Sequence, residues 1–211
     1  MLPLVHEFVR LDLTRNRGWP WPESSFGLEP MFGKHGWCRS CGTPSCEQSG
    51  SLVLQARGLG NTRGTWTPNW QFDVICVEER LAARLEADLG LPFRSVVTPK
   101  CKALPVRQLI VEPSPSPWYH EADLHRALVA AHGSAGARCD TCGRFRWLPL
   151  DERKLPAPEI PRAVKGGHIV ASMEWFGDGM KTFRHLRFSR QLASAMLSHG
   201  NCDFAVVDAD V

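Results

Sequence analysis

Two separate stretches of the chain carry the same hydrophobic pattern. In residues 78–90, leucines recur at every fourth position, as they do along one buried face of a helix, and Gly90 ends the pattern. β-Branched and aromatic residues at 70–77 and 93–98 predict a strand on either side. The leucines concerned are Leu81, Leu85 and Leu89. The pattern therefore predicts a strand, a helix and a strand in that order.

The same order recurs near the end of the chain. Residues 182–188 and 203–209 are predicted strands, and residues 189–200 are a predicted helix with Ser189 as its N-cap and Gly200 as its end. At an offset of 111 residues, apolar positions of the two units coincide: Phe72 with Phe183, Ile75 with Leu186, Val77 with Phe188, Leu81 with Leu192, Leu85 with Met196, Phe93 with Phe204 and Val96 with Val207. An internal duplication would produce this agreement. Two unrelated strand-helix-strand units with the same spacing of apolar residues would produce it too.

Proline-rich stretches separate these units from the rest of the chain. The sequence "EPSPSP" at 112–117 lies near the midpoint, and residues 149–161 form a second connector. A further helix is predicted at 117–132. Strand-helix-strand units plus this helix predict an α+β fold in a single domain, residues 1–211. The candidate related halves are residues 34–112 and 134–211.

Length and composition narrow the class of protein. The chain has 211 residues, which is enough to bury a hydrophobic core that needs no disulfide bonds for stability. Its first residues include Pro3, His6 and Glu7, whereas a signal peptide needs an unbroken apolar run, and no stretch approaches the ~18–20 apolar residues of a membrane span. We therefore expect a cytoplasmic protein that does not enter a membrane. The net charge of +3 is spread along the chain, so it does not favour nucleic-acid binding.

The cysteines supply the strongest chemical signal. Two of the CxxC pairs that Zn²⁺ favours occur here, each followed by glycine: Cys38 and Cys41 in "CRSCG", and Cys139 and Cys142 in "CDTCG". In a reducing compartment such pairs bind metal more often than they form disulfides. Together they offer four thiolates, the full set for a structural Zn²⁺ site. Because 97 residues lie between Cys41 and Cys139, the site would be a split zinc ribbon that joins the two halves.

Other uses of the cysteines stay open at this point. Cys46 and His35 lie close enough in sequence to complete a local site with the first CxxC pair. An iron-sulfur cluster also accepts four thiolates, and a redox role is less favoured because neither pair opens a predicted helix. The remaining cysteines are interpreted as ordinary small buried residues: Cys76, Cys101 and Cys202.

Three further motifs resemble functional signatures, but each has a plainer structural interpretation. "HEADLH" at 120–125 places its histidines five apart, which takes them off one helical face, so a surface helix built on Leu124 and Leu128 is preferred to a zinc-protease motif. "EWFGDGMKTFRH" at 174–185 predicts a hairpin, with a recognition loop as the alternative. "CGRFRWLP" at 142–149 predicts a strand whose arginines face water, with nucleic-acid stacking as the alternative.

The order of these elements resembles the myxobacterial double-CXXCG motif paralogous family. The likeness rests on "CRSCG", a strand and helix, the segment "LIVEP" at 109–113, "CDTCG" and the closing strand-helix-strand unit. It implies that Cys38, Cys41, Cys139 and Cys142 are shared metal ligands, and it implies an immunity role, in which the protein neutralises a transferable toxin. Cys46 and the segment at 173–183 depart from the family pattern.

The resulting functional hypothesis is a zinc-binding cytoplasmic protein that binds and neutralises a cognate protein toxin. The first alternative is a zinc-ribbon protein that binds nucleic acid or has a regulatory role. The second is an enzyme of unknown reaction, which is less favoured because the sequence has no recognisable nucleophile and base, nucleotide-binding or acyl-transfer motif.

Overall fold

The computed structural model describes residues 8–160 and 167–208. The described helices are α1 (Leu28–Phe32), α2 (Glu79–Leu89), α3 (Glu121–His132) and α4 (Arg190–Leu197). The described strands are β1 (Phe8–Leu13), β2 (Thr65–Trp66), β3 (Cys76–Glu78), β4 (Phe93–Val97), β5 (Ala103–Leu109), β6 (Gly136–Arg138), β7 (Phe145–Trp147), β8 (Ile169–Ala171), β9 (Phe176–Asp178), β10 (Lys181–Phe183), β11 (Leu186–Ser189) and β12 (Phe204–Asp208). The mixture of helices and sheets confirms the predicted α+β class.

Some of the predictions fall partly outside the described residues. These parts are residues 1–7 of the N-terminal segment, residue 161 of the second connector, and residues 161–166 and 209–211 of the second half. Within the part of the chain that is described, no helix is both long enough and apolar enough to cross a membrane.

The two helices predicted from leucine spacing form for the expected local reasons. In α2, Leu81 and Leu85 are buried, and the N–H of Gly90 donates to the Glu86 carbonyl in a left-handed C-cap. In α4, the Ser189 hydroxyl accepts a hydrogen bond from the N–H of Leu192 at 3.1 Å, which confirms the predicted N-cap. The helix ends at Leu197, three residues before the predicted end.

The predicted strands are shorter than expected. Of residues 70–77, only those from Cys76 onward lie in a strand, because Trp70 adopts a left-handed φ of 66° and the chain turns there. The predicted strand 182–188 is divided into β10 and β11, which belong to different sheets. Between the two strands, the N–H of Arg184 donates to the Asp73 carboxylate at 3.0 Å and the N–H of His185 donates to the Ser172 hydroxyl at 3.1 Å, so these backbone groups bond to side chains rather than to a neighbouring strand.

Two of the sheets have the same strand arrangement. The first has the order β2-β3-β5-β4, and the second has the order β8-β11-β1-β12, with every neighbouring pair antiparallel. In each sheet, two parallel strands joined by a helix therefore flank one antiparallel strand. In the first sheet the middle strand is β5, which comes directly after the strand-helix-strand unit in the chain. In the second sheet it is β1, which comes from near the beginning of the chain.

The offset of 111 seen in the sequence also relates the element boundaries. It takes the start of α2 at Glu79 to the start of α4 at Arg190, and it takes both ends of β4 to the ends of β12. The equivalent residues Leu81 and Leu192 lie in one hydrophobic core that both units share. Val96 is an exception, because it packs in a separate core with Trp66.

A third sheet carries the second CxxC motif. It has the order β10-β9-β7-β6, and the turn between β6 and β7 contains Cys139 and Cys142. Phe176 of β9 packs with Trp118, Leu124 and Leu128 in a third hydrophobic core. The last two residues lie on α3, as the sequence predicts.

Candidate metal centre

The two CxxC motifs form turns with the same backbone hydrogen bonds. In the first turn, the N–H of Gly42 donates to the Cys38 carbonyl at 2.7 Å, and the N–H of Cys38 donates to the Thr43 carbonyl at 2.9 Å. In the second turn, the corresponding distances are 2.8 Å from Gly143 to Cys139 and 2.9 Å from Cys139 to Arg144. Both glycines have a left-handed φ, 73° and 72°, which explains why glycine follows each pair.

The fold brings the four predicted ligands together. Cys38 Sγ lies 3.9 Å from Cys139 Sγ, and Cys41 Sγ lies 3.7 Å from Cys142 Sγ. All four sulfur atoms lie within 4.8 Å of one another. With Zn–S bonds of about 2.3 Å, the sulfurs of a regular tetrahedron are about 3.8 Å apart. The donor set and its spacing therefore fit one tetrahedrally bound metal ion, with two ligands from each candidate half.

The first cysteine of each turn is held toward the thiolate form, which is the form that binds metal. Burial raises the pKa of Cys38, but hydrogen bonds from the backbone N–H groups of Ser40 and Cys41 outweigh it and leave the pKa below its ordinary value. At Cys139, hydrogen bonds from the N–H groups of Cys142 and Thr141 lower the pKa to about 6. At Cys142, in contrast, burial and the hydrogen bonds with the neighbouring cysteine side chains raise the pKa to about 11. The backbone therefore stabilises negative charge at Cys38 and Cys139.

A hairpin and one arginine hold the two turns in place. The Thr182 hydroxyl, on β10, donates to the Gly42 carbonyl at 3.2 Å. Arg146, on β7, donates to the carbonyls of Cys41 and Gly179 through Nη1. The prediction that Arg146 faces water is therefore wrong, because this side chain connects the second turn to the first. Its position opposite Cys41 could not be inferred from the alternating pattern alone.

The alternative local site is not assembled. Cys46 is exposed, and its sulfur contacts the carbonyls of Gly36 and Phe32 rather than the other cysteines. His35 is exposed and takes no part in the cluster. Within residues 8–160 and 167–208, the group that could hold a metal is Cys38, Cys41, Cys139 and Cys142.

The remaining cysteines differ in burial, although the sequence predicts that all three are buried. Cys76 is fully buried, and Cys202 is half-buried. Cys101 is exposed, in the turn between β4 and β5 with a φ of 58°, so its interpretation as a buried residue is wrong. The sequence there lacks a hydrophobic pattern that would have marked it as part of a core.

The HEADLH helix and the segment 174–185 adopt their plainer structures. His120 is the N-cap residue of α3, and His125 lies on its exposed face. The segment 174–185 contains the predicted hairpin of β9 and β10. Phe176 is completely buried, however, so it cannot serve as a surface anchor of the recognition loop that was the alternative.

Sequence reasoning missed a row of aromatic side chains next to the metal centre, which we call the aromatic row. Its members are Trp19, Trp21, Trp70, Phe72 and Phe183, with successive ring centroids 5.8, 6.3, 6.3 and 5.4 Å apart. Trp70 and Phe72 are 36% and 49% exposed, so part of the row faces solvent. Phe183 belongs to β10, the strand that contacts the first CxxC turn.

Two cations lie on the aromatic row. Lys181 Nζ is 3.1 Å from the centroid of Trp70, and the Arg57 guanidinium is 4.3 Å from that of Trp19. The richness in tryptophan of "RGWPWP" and "GTWTPNWQ" was the only sequence signal for this surface. It was insufficient because the row joins three segments that are distant in the chain.

The comparisons with known proteins add no family assignment. No protein-family model matches the chain, and no curated protein matches it. The functional argument therefore rests on the site itself.

Proposed function

We propose that the four cysteines bind one structural Zn²⁺ ion. The observation that supports this most directly is the match between the sulfur separations of 3.7 and 3.9 Å and those of a zinc tetrahedron. Four protein ligands leave no open position, so the ion would hold the two halves together rather than act on a substrate. Iron fits the same four thiolates, and elemental analysis of protein purified without added metal distinguishes the two.

We also infer that the two halves, residues 34–112 and 134–211, arose by duplication. The support comes from the parallel strand pair joined by a helix in each half, the element boundaries that match at an offset of 111, and the same backbone hydrogen bonds in the two CxxC turns. The middle strand β1 lies outside both halves and is not part of the repeated unit. Equivalent residues also meet where the halves join: Phe72 contacts Phe183 at 5.4 Å, and Ser40 contacts Thr141 at 2.8 Å. An approximate twofold axis through the metal centre would produce these contacts.

For the whole protein, we propose stoichiometric binding of a protein partner in the cytoplasm. The aromatic row supports this proposal because exposed tryptophans provide the large, rigid contacts that dominate protein interfaces. Lys181 and Arg57 on the row favour an acidic partner surface. The resemblance to the double-CXXCG family suggests the identity of that partner, a toxin that this protein neutralises.

The first test is whether a gene beside this chain's gene encodes a toxin-like protein, since its absence would contradict the proposal. Where it is present, its product is the probe. Titration calorimetry with the zinc-loaded protein is expected to show a one-to-one complex. Trp70→Ala should weaken it by at least about thirtyfold, as for a central interface tryptophan. Met173→Ala is the matched control, since Met173 is 48% exposed and lies outside the row. Equal affinities for both variants, or no complex, would contradict the proposal.

Nucleic-acid binding is the second candidate, and the same surface supports it. Single-stranded nucleic acid is bound by aromatic side chains on which its bases stack and by nearby cations, and the aromatic row has both. A labelled oligonucleotide provides the test, because its affinity should fall steeply between 50 and 200 mM salt if several phosphates are bound. Tight, salt-dependent binding that Trp70→Ala abolishes would favour this candidate over the protein partner.

A further inference from the structure

The two cysteine pairs of the metal centre differ in their access to solvent. Cys38 and Cys41 are buried, and only 1% of the surface of Cys41 is exposed. In the second pair, Cys139 is half-buried and Cys142 is exposed. The oxidation of a cysteine depends on its exposure to the oxidant. An oxidant that arrives from solvent therefore meets Cys142 first.

A buried thiol of the other half lies within reach of this exposed cysteine. Cys41 Sγ is 3.7 Å from Cys142 Sγ. The two sulfurs need to approach by less than about 2 Å to reach the ~2.05 Å length of a disulfide bond. Because Cys41 is shielded from solvent, an oxidised Cys142 is the group with which it is placed to react.

Contacts that do not involve sulfur keep the two turns together. Ser40 and Thr141 immediately precede the two cysteines in the chain, and their hydroxyl oxygens lie 2.8 Å apart. The guanidinium of Arg146 donates to the Cys41 carbonyl. These hydrogen bonds do not depend on a metal ion, so the sulfurs of Cys41 and Cys142 stay close together when the ion is lost.

We propose that hydrogen peroxide converts Cys41 and Cys142 into a disulfide that joins the two halves. This inference rests on the proposed zinc site and adds a modification site to it. Oxidation would exchange a metal link between the halves for a covalent one.

The reaction has two steps. The Cys142 thiolate attacks one oxygen of H₂O₂: an S–O bond forms, the O–O bond breaks, the sulfur loses two electrons and hydroxide leaves, which gives a sulfenic acid. The Cys41 thiolate then attacks the Cys142 sulfur, the S–O bond breaks and a second hydroxide leaves. Both hydroxide ions take a proton from the solvent. Two thiolates, one H₂O₂ and two protons therefore give one disulfide and two water molecules.

The disulfide changes both metal binding and stability. It leaves Cys38 and Cys139 as the remaining ligands, fewer than the four of a structural zinc site, so Zn²⁺ should be released. The bond joins positions 101 residues apart, and it closes a loop of the same length as the metal site did. We expect the oxidised, zinc-free protein to unfold at least about 9 °C above the reduced, zinc-free protein.

The experiment uses the full-length, zinc-loaded protein with Cys46→Ser and Cys101→Ser, because both cysteines are exposed and lie outside the cluster. After treatment with H₂O₂, N-ethylmaleimide blocks the remaining thiols, and the tryptic digest is analysed by mass spectrometry. Trypsin places Cys41 in peptide 40–57 and Cys142 in peptide 139–144. The expected product is a disulfide between these peptides that fragmentation assigns to Cys142, with one Zn²⁺ released per chain. Addition of a thiol reductant should then lower Tm by at least about 9 °C.

Two results would overturn the proposal. One is a disulfide between Cys139 and Cys142, which stays inside peptide 139–144 and does not join the halves. The other is recovery of Cys41 as the maleimide adduct, because its thiol would then not have reacted. Elemental analysis before oxidation tests the zinc site separately. Protein that contains no zinc would contradict that site, whereas the digest still decides whether Cys41 and Cys142 join.

Discussion

Removal of the second cysteine pair tests whether the distant CxxC motifs share one ion. The double variant Cys139→Ser, Cys142→Ser takes away two of four ligands while leaving the first turn unchanged. Cys38 and Cys139 are 101 residues apart, so a shared ion closes a long loop in the unfolded chain. By the estimate used for covalent cross-links, closing a loop of this length contributes about 4.7 kcal/mol to stability.

That free energy has a measurable consequence for thermal unfolding. In a domain of about 150–250 residues, each kcal/mol shifts Tm by about 2–4 °C. We therefore expect the double variant, or the wild-type protein treated with a chelator, to unfold about 9–19 °C below the zinc-loaded protein. Calorimetry together with elemental analysis measures both the shift and the metal content, which should fall from one Zn²⁺ per chain to none.

The control is the variant Cys46→Ser, because Cys46 is exposed and lies outside the cluster. It should keep both the metal and the Tm of the wild type. A double variant that still binds one Zn²⁺ per chain would refute the shared site. So would a chelator that removes the metal without changing Tm, since the ion would then not join the halves.

Two further predictions concern a buried histidine and the paired glycines. Burial, followed by the charges of Arg187 and Arg10, lowers the pKa of His185 from 6.5 to about 3, so the native state stays neutral while the unfolded chain binds a proton below pH 6.5. The stability that comes from keeping His185 neutral is complete above pH 6.5 and is lost as pH falls toward 3, with a loss of about 2 kcal/mol between pH 7 and pH 5. His185→Gln should remove that part of the pH dependence of the unfolding free energy, measured by denaturant titration. The same pH dependence in the variant and the wild type would contradict this explanation. Gly42→Ala should lower the free energy of unfolding by at least about 1 kcal/mol more than Gly143→Ala does. The two glycines have nearly the same φ, but only at Gly42 would a new Cβ lie 2.5 Å from a carbonyl oxygen, that of Met180. Equal unfolding free energies for the two glycine variants would show that the hairpin does not press on the first turn.

Local features were predictable because they depend on neighbours in the chain. The helix at Glu79–Leu89 follows from leucine spacing, and Ser189 caps its counterpart through a hydroxyl three residues from Leu192. The CxxCG turns follow from a glycine that must adopt positive φ. Where the prediction was wrong, as at residues 70–75 and at Arg184, contacts with distant segments outweighed the local preference for a strand.

The sequence by itself determined which four cysteines are candidate metal ligands, the α+β class and the order of the two strand-helix-strand units. Only the tertiary structure decided that the sulfurs of Cys38 and Cys139 meet, and that β1 supplies the middle strand of the second sheet. It also decided which tryptophans form a row and that the N–H of Arg184 bonds to Asp73. The physical reason is the distance along the sequence over which each interaction acts. Hydrophobic periodicity and turn preferences involve residues a few positions apart. The contacts named here join segments that are far apart in the chain, so only the packing of the folded chain selects them.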